Sequence, residues 1–203
     1  MKHSVSGTPN AVLISFFLLF LSIPAWAQSS DSQQWGEAVE GVQMSITDSG
    51  LVKAGIPKLR VTFRNTRSED VDLYLGTIGG WSARPCDLDN RKIPCSFNFD
   101  LYLTGDEGRT RKLKFKGISY VAGRLDPYIV WLRASSTHTL EIGLDQFWSP
   151  DTHEYEFRLA PGVHRVSLEF EGRTPELIDH QQRINKMNFW KGKVRSNILE
   201  VHR

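Results

Sequence analysis

Cysteine is scarce in this chain: there are two in 203 residues, and both lie in one short segment, Cys86-Asp-Leu-Asp-Asn-Arg-Lys-Ile-Pro-Cys95. A multi-bridge disulfide scaffold is therefore excluded, and the fold must be held by burial. Long apolar runs are missing as well. The one sustained stretch, Ala11 to Ile23, falls short of the roughly 20 residues that a membrane-spanning helix needs. Charge of one sign does not accumulate either. There are 25 Lys and Arg against 23 Asp and Glu, a formal net charge of +2, so no overall field draws the chain towards nucleic acid.

Motifs that carry chemistry are equally sparse. His138, His153, His164, His180 and His202 form no His-x-His or His-Glu-x-x-His pattern and none neighbours a cysteine, so there is no local metal signature. Asp87-x-Asp89-Asn90 begins like a calcium loop, but Arg91 takes the next ligand position and no closing Glu follows at the required spacing. A Gly-x-Ser-x-Gly elbow is absent, and Ser135, Ser136 and His138 read as the start of a strand. The acids are scattered over turns and outer strand positions, which identifies no acid–base pair. The expectation is a protein that is not an enzyme and carries no cofactor or metal.

What is present begins with an address. Lys2 and His3 precede the apolar run, and Ala25-Trp26-Ala27 supplies a small-x-small cleavage pattern, so residues 1–27 read as a secretory signal peptide. The mature chain is expected to start at Gln28 and, with no cysteine at its new end to carry a lipid, to be exported without a membrane anchor, to a periplasm or the medium. It contains no Asn-x-Ser/Thr acceptor, which fits a bacterial source. In an oxidising compartment the default state of Cys86 and Cys95 is a disulfide, which staples a loop for roughly 2–3 kcal/mol. Residues 28–34 are polar and aperiodic and read as a flexible leader, leaving 35–203 as one domain.

Within that domain strict alternation dominates. Val42, Met44 and Ile46 alternate with polar residues, as do Leu59, Val61 and Phe63, the period of a strand with one buried face. The pattern recurs at Val71 to Leu75, Phe97 to Leu103, Leu113 to Phe115, Leu140 to Leu144, Tyr155 to Leu159, His164 to Phe170 and Leu199 to Val201. That makes about nine strands. Turn chemistry separates them at Asp48-Ser49-Gly50, Gly79-Gly80, Gly105 to Gly108, Ser149-Pro150-Asp151 and Pro161-Gly162. Helical crossovers are missing, apart from one possible short helix near 175–187, so the sheet is expected to be antiparallel. Two sheets packed face to face satisfy such a chain best. Val61, Phe63, Leu73, Leu101, Ile142, Phe157, Val166 and Leu168 are the expected shared core.

Two C-terminal motifs add a resemblance. Leu159-Ala160-Pro161-Gly162-Val163-His164-Arg165-Val166 resembles the corner before a late core strand in bacterial immunoglobulin-like and fibronectin-III-like domains. Phe189-Trp190-Lys191-Gly192-Lys193-Val194-Arg195-Ser196-Asn197 looks like the start of the last strand in uncharacterised secreted proteins of that architecture. The resemblance implies an all-β, single-domain, immunoglobulin-like β-sandwich. His164 stands where such corners often carry Tyr, so a tyrosine-type hydroxyl bond back to the corner is not expected.

Candidate contacts follow from exposure. Trp81 and Trp148 sit among turn residues, where a loop can present an aromatic face to a sugar or a partner. Trp131 and Trp190 read as core residues. Lys112, Lys114 and Lys116 share one side of a strand whose other side carries Leu113 and Phe115. This is a solvated edge protected by lysines or, with Lys191, Lys193 and Arg195, an anion-binding strip. The leading expectation is a non-catalytic binding or structural module for an exported protein or polysaccharide, with no nucleic-acid partner. The alternatives are an inhibitor or assembly factor docking on an exported enzyme through Trp81 and the Cys86–Cys95 hairpin, and a carbohydrate-binding module using the loop tryptophans.

Overall fold

The computed structural model describes residues 33–52, 56–79, 85–88, 91–105, 107–116, 125–153, 159–175 and 187–203, with side chains at all of these except 52, 79, 85–88, 91–96 and 125. The strands are β1 (Val42–Val52), β2 (Ile56–Asn65), β3 (Val71–Gly79), β4 (Pro85–Leu88), β5 (Arg91–Phe97), β6 (Phe99–Thr104) and β7 (Thr110–Phe115). They continue with β8 (Leu125–Leu132), β9 (Thr137–Gly143), β10 (Phe147–Trp148), β11 (Val163–Gly172), β12 (Gly192–Arg195) and β13 (Leu199–His202). Every ladder between them is antiparallel. Three sheets result, in the orders β1-β2-β9, β10-β7-β6-β11-β12 with β13 also on β11, and β4-β5-β3-β8.

The all-β antiparallel class therefore stands, with more strands than the nine expected. The additions are those that alternation does not mark: β4 and β5 in the polar cysteine segment, the apolar run of β8, the two-residue β10 and the polar β12. The only helical element among the described residues is the 3-10 turn Leu144–Gln146. The helix expected near 175–187 falls outside the described residues except at its ends, as does the strand expected at 155–159 except for Leu159. Asp48-Ser49-Gly50 does not reverse the chain. It makes a bulge within β1, where the ladder shifts register between Asp48 and Leu51, Gly50 has φ +93°, and its N–H donates to Asp48 Oδ1 at 2.7 Å.

One core joins the sheets. Phe63 of β2 meets Phe170 of β11 edge-on at 5.1 Å and Phe99 of β6 at 6.1 Å. The inner faces of the three-stranded sheet and the β6–β11 sheet thus pack on each other. Seven of the eight expected core residues are fully buried; Phe157 lies outside the described residues. The β3–β8 ribbon adds Leu73, Leu75 and Leu132 to the same cluster. At about 25 cal/mol per Å² of apolar surface, burial of each such side chain contributes roughly 1.5–3 kcal/mol.

Three asparagines join the pieces. Asn65, fully buried at the end of β2, donates from Nδ2 to the carbonyls of Glu69 (2.7 Å), Leu132 (3.1 Å) and Arg133 (3.2 Å), so the β2–β3 and β8–β9 turns are fixed together. Asn98 marks the point where β5 of one sheet becomes β6 of another. Its N–H bonds Leu75 O at 2.9 Å, and its carbonyl accepts the Glu171 N–H at 3.2 Å. Asn197, between β12 and β13, accepts the Ile46 N–H at 2.7 Å and donates to Ile46 O at 3.1 Å, acting as a one-residue strand on the edge of β1. The part of that edge before Ile46 is covered by residues 33–39, where Gly36 N–H donates to Met44 O at 2.9 Å and Trp35 lies 4.2 Å beneath the Arg64 guanidinium.

Candidate functional site

The strand β7 alternates as its sequence implies: Leu113 and Phe115 are buried, Lys112 and Lys114 exposed. Register then assembles a row across five strands. Trp148 stands opposite Lys114, Lys114 opposite Asp100, Asp100 opposite Glu169, and Glu169 opposite Arg195. Lys112 faces Tyr102 in the next row, and Lys193 faces Glu171. The fold therefore brings Trp148, two of the three candidate lysines, Lys193 and Arg195 to one outer face, and adds Tyr102, which the sequence did not single out.

Electrostatics decide what that face can bind. Lys112 Nζ lies 2.8 Å from Asp100 Oδ2, Arg195 Nε donates to Glu169 Oε2 at 2.7 Å, and Lys193 is 3.6 Å from Glu171. Lys116, just past β7, gives its Nζ proton to the Asp145 carbonyl. The Tyr102 ring is bracketed by Arg195 at 4.6 Å and Lys112 at 5.5 Å. The bond to Asp100 raises the pKa of the Lys112 ammonium, and that to Glu169 raises the pKa of Arg195. Each exposed pair is worth at most about 1 kcal/mol, but together they alternate in sign and leave no continuous positive strip. The face is a lattice of alternating charges, in which Lys114 stands opposite Trp148 of the two-residue β10 and Lys112 lies beyond it.

The tryptophans divide differently from the sequence reading. Trp190 is core, 3% exposed, stacked on Phe170 at 6.0 Å with its Nε1–H on Val39 O at 3.2 Å. Trp131 is not core: it is 60% exposed. The run Ile129-Val130-Trp131-Leu132 has no polar residue to reveal its phase, and Val130 and Leu132 take the buried positions, which turns Trp131 outward. Its strand partner is Asp72, and the Arg133 guanidinium lies 4.9 Å from its ring. Burial pushes the Asp72 carboxyl pKa up against the Asn188 N–H that its Oδ2 accepts at 3.0 Å. Asn188 Nδ2 also donates to Asp70 O at 3.4 Å, and Asp70 Oδ1 accepts the Ala134 N–H at 2.8 Å. Trp81 lies outside the described residues.

The polar cysteine segment is a β-hairpin, not an irregular loop. Cys86 pairs with Ile93, and Cys95 pairs with Ile78 of β3, so the two cysteines stand two residues out of direct register. Their side chains lie outside the described ones.

Both resemblance motifs resolve into packing devices. The His164 ring donates from Nε2 to Ala160 O at 2.8 Å, so an imidazole bonds back to the corner in place of a tyrosine hydroxyl. Gly172 is required because a Cβ there would sit 2.2 Å from the Trp190 ring, and one at Gly192 would sit 2.9 Å from it. Ser196 Oγ accepts the Leu168 N–H at 3.0 Å across the break between β12 and β13.

On the outer face of the three-stranded sheet Glu141 collects Lys58, Ser49 and Arg60. The Lys58 bond, then that of Ser49, lowers its pKa to about 2. Among the described residues no group of three or more His, Cys, Asp or Glu is placed to hold a metal ion, and no helix is long and apolar enough to cross a membrane. No protein-family model matches this chain, and no curated protein proves similar to it.

Proposed function

We propose that this chain is an exported, non-catalytic binding module on an immunoglobulin-like β-sandwich, working in a periplasm or outside the cell. The strand order supports the architecture. The β1-β2-β9 sheet faces β7-β6-β11 and the split strand β12–β13, with β9 returning to pair with β2 and β11 with β6, and β3, β4, β5 and β8 form an added sheet. Compartment supports the Cys86–Cys95 bridge, which would tie the base of the β4–β5 hairpin.

The observation that carries binding is Trp131. A tryptophan 60% exposed leaves roughly 150 Å² of aromatic surface in water, which forgoes about 4 kcal/mol of burial. It stands on a paired strand, where its position is fixed, and not on a loop tip. An exported enzyme remains the alternative partner, because the β4–β5 hairpin shares a sheet with β8.

The test immobilises the full chain and its Trp131→Ala variant and compares what each retains from an exported fraction containing proteins and cell-wall polysaccharide. The reading expects at least one species to be lost with the substitution while the β-sheet circular dichroism stays unchanged. Identical retention by both would reject it.

A further inference from the structure

We infer that the occupant of the Trp131 face is a saccharide chain, stacked through a pyranose ring on the indole and held by the polar groups around it. This rests on the reading of Trp131 as a contact residue. Size argues first. The exposed indole offers roughly 150 Å², whereas a stable protein partner needs about 800 Å² on each side. The other large apolar side chains left exposed among the described residues, Leu51, Val163 and Ile198, belong to β1, β11 and the β12–β13 break. They do not extend this patch, whose apolar neighbours on the same face of β8, Pro127 and Ile129, are half-buried.

Chemistry argues second. A sugar presents an apolar ring face edged by hydroxyls that both donate and accept, and this surface has the matching parts. The Arg133 guanidinium lies over one face of the indole, 4.9 Å from the ring centroid, and carries five donors in a fixed fork, so the sugar stacks on the opposite face or displaces the guanidinium to its edge. Across the strand pair, Asp72 leads to Asn188, an exposed carboxamide that donates and accepts. Asp70 adds an exposed carboxylate held by the turn after β8. Two strand spacings, about 10 Å, separate β8 from the Asn188 segment. The polar groups thus lie within two strands of the indole, the span of a short oligosaccharide.

Rigidity argues third. Trp131 pairs with Asp72 in the regular stretch of the ladder from Val71↔Leu132 to Tyr74↔Ile129, ahead of the bulge between Tyr74 and Gly76, and the turn that carries Arg133 is fixed by Asn65. The platform is formed before the ligand arrives, so little ordering opposes binding.

The experiment titrates the full chain with soluble hexaoses of β-1,4-linked glucose, xylose, mannose and N-acetylglucosamine, read by calorimetry and by tryptophan emission. At least one hexaose should bind, Trp131→Ala should weaken it at least tenfold, Trp131→Phe less, and Arg133→Ala severalfold. Lys114→Ala, on the other sheet, should leave it unchanged. Failure of every hexaose to bind, or binding by Trp131→Ala within twofold of the parent, overturns the saccharide. If no hexaose binds while an exported protein is still retained through Trp131, the contact reading stands and the saccharide alone falls.

Discussion

Replacing Asn197 by Ala removes a side chain that pairs both backbone groups of Ile46, at 2.7 Å and 3.1 Å. The loss is not confined to two hydrogen bonds of about 1 kcal/mol each. The Ile46 N–H and C=O lie on a partly buried edge, and among the described residues no other strand is placed to satisfy them. Leaving a buried polar group unpaired costs about 1–3 kcal/mol, and partial access of water places each at the lower end, so the expected loss is about 2–4 kcal/mol. For a domain of this size that corresponds to a fall in Tm of about 5–15 °C. Asn197→Asp tests the geometry, since it keeps an acceptor for the Ile46 N–H but sets a carboxylate against the Ile46 carbonyl; it should be no better than Ala. Guanidinium titration with calorimetry measures both. A loss below about 0.5 kcal/mol for Asn197→Ala would show that the edge of β1 is satisfied by water and that the asparagine is no joint.

Glu141 should make the fold acid-sensitive. Its folded pKa of about 2 lies below the ordinary 4.5, so its contribution is present above pH 4.5 and is lost as pH falls towards 2. After solvent screening this amounts to roughly 1 kcal/mol, and Glu141→Gln should flatten stability against pH in that window; an unchanged slope would refute it. Gly172→Ala drives a methyl into the Trp190 ring and should cost about 1–3 kcal/mol by overpacking, seen as a lower denaturation midpoint with unchanged spectra. Leu168→Ala, fully buried between the sheets, should cost about 2–5 kcal/mol, and a midpoint shift equivalent to under 0.5 kcal/mol would place it outside the core. Mass spectrometry of the oxidised protein should find Cys86 and Cys95 bridged, and alkylation of both thiols without reduction would exclude the bridge.

The buried faces were legible because alternation reports them directly: Val61, Phe63, Leu101 and Leu168 are read and found in one phase. What alternation does not report is where a chain changes sheet. Phe97 and Phe99 look like one continuous strand, yet Asn98 between them passes the chain from one sheet to another. Asparagine is read as a turn former because its amide competes with backbone partners, and that same capacity lets Asn65, Asn98 and Asn197 replace strands at joints. Trp131 was misread for a related reason: four consecutive apolar residues carry no phase. Trp148 and Lys114, 34 positions apart in a chain that gives no hint of their proximity, became neighbours only through the β7–β10 register.

The bond between Asn197 and Ile46 links positions 151 residues apart. A ribosome delivers Ile46 long before Asn197, so throughout synthesis the edge of β1 has a gap at the Ile46 backbone groups. Completion of the carboxyl end is what closes it. Chains stopped before Asn197 would carry most of the core and still show that gap, a local opening in a strand edge that another extended segment can enter.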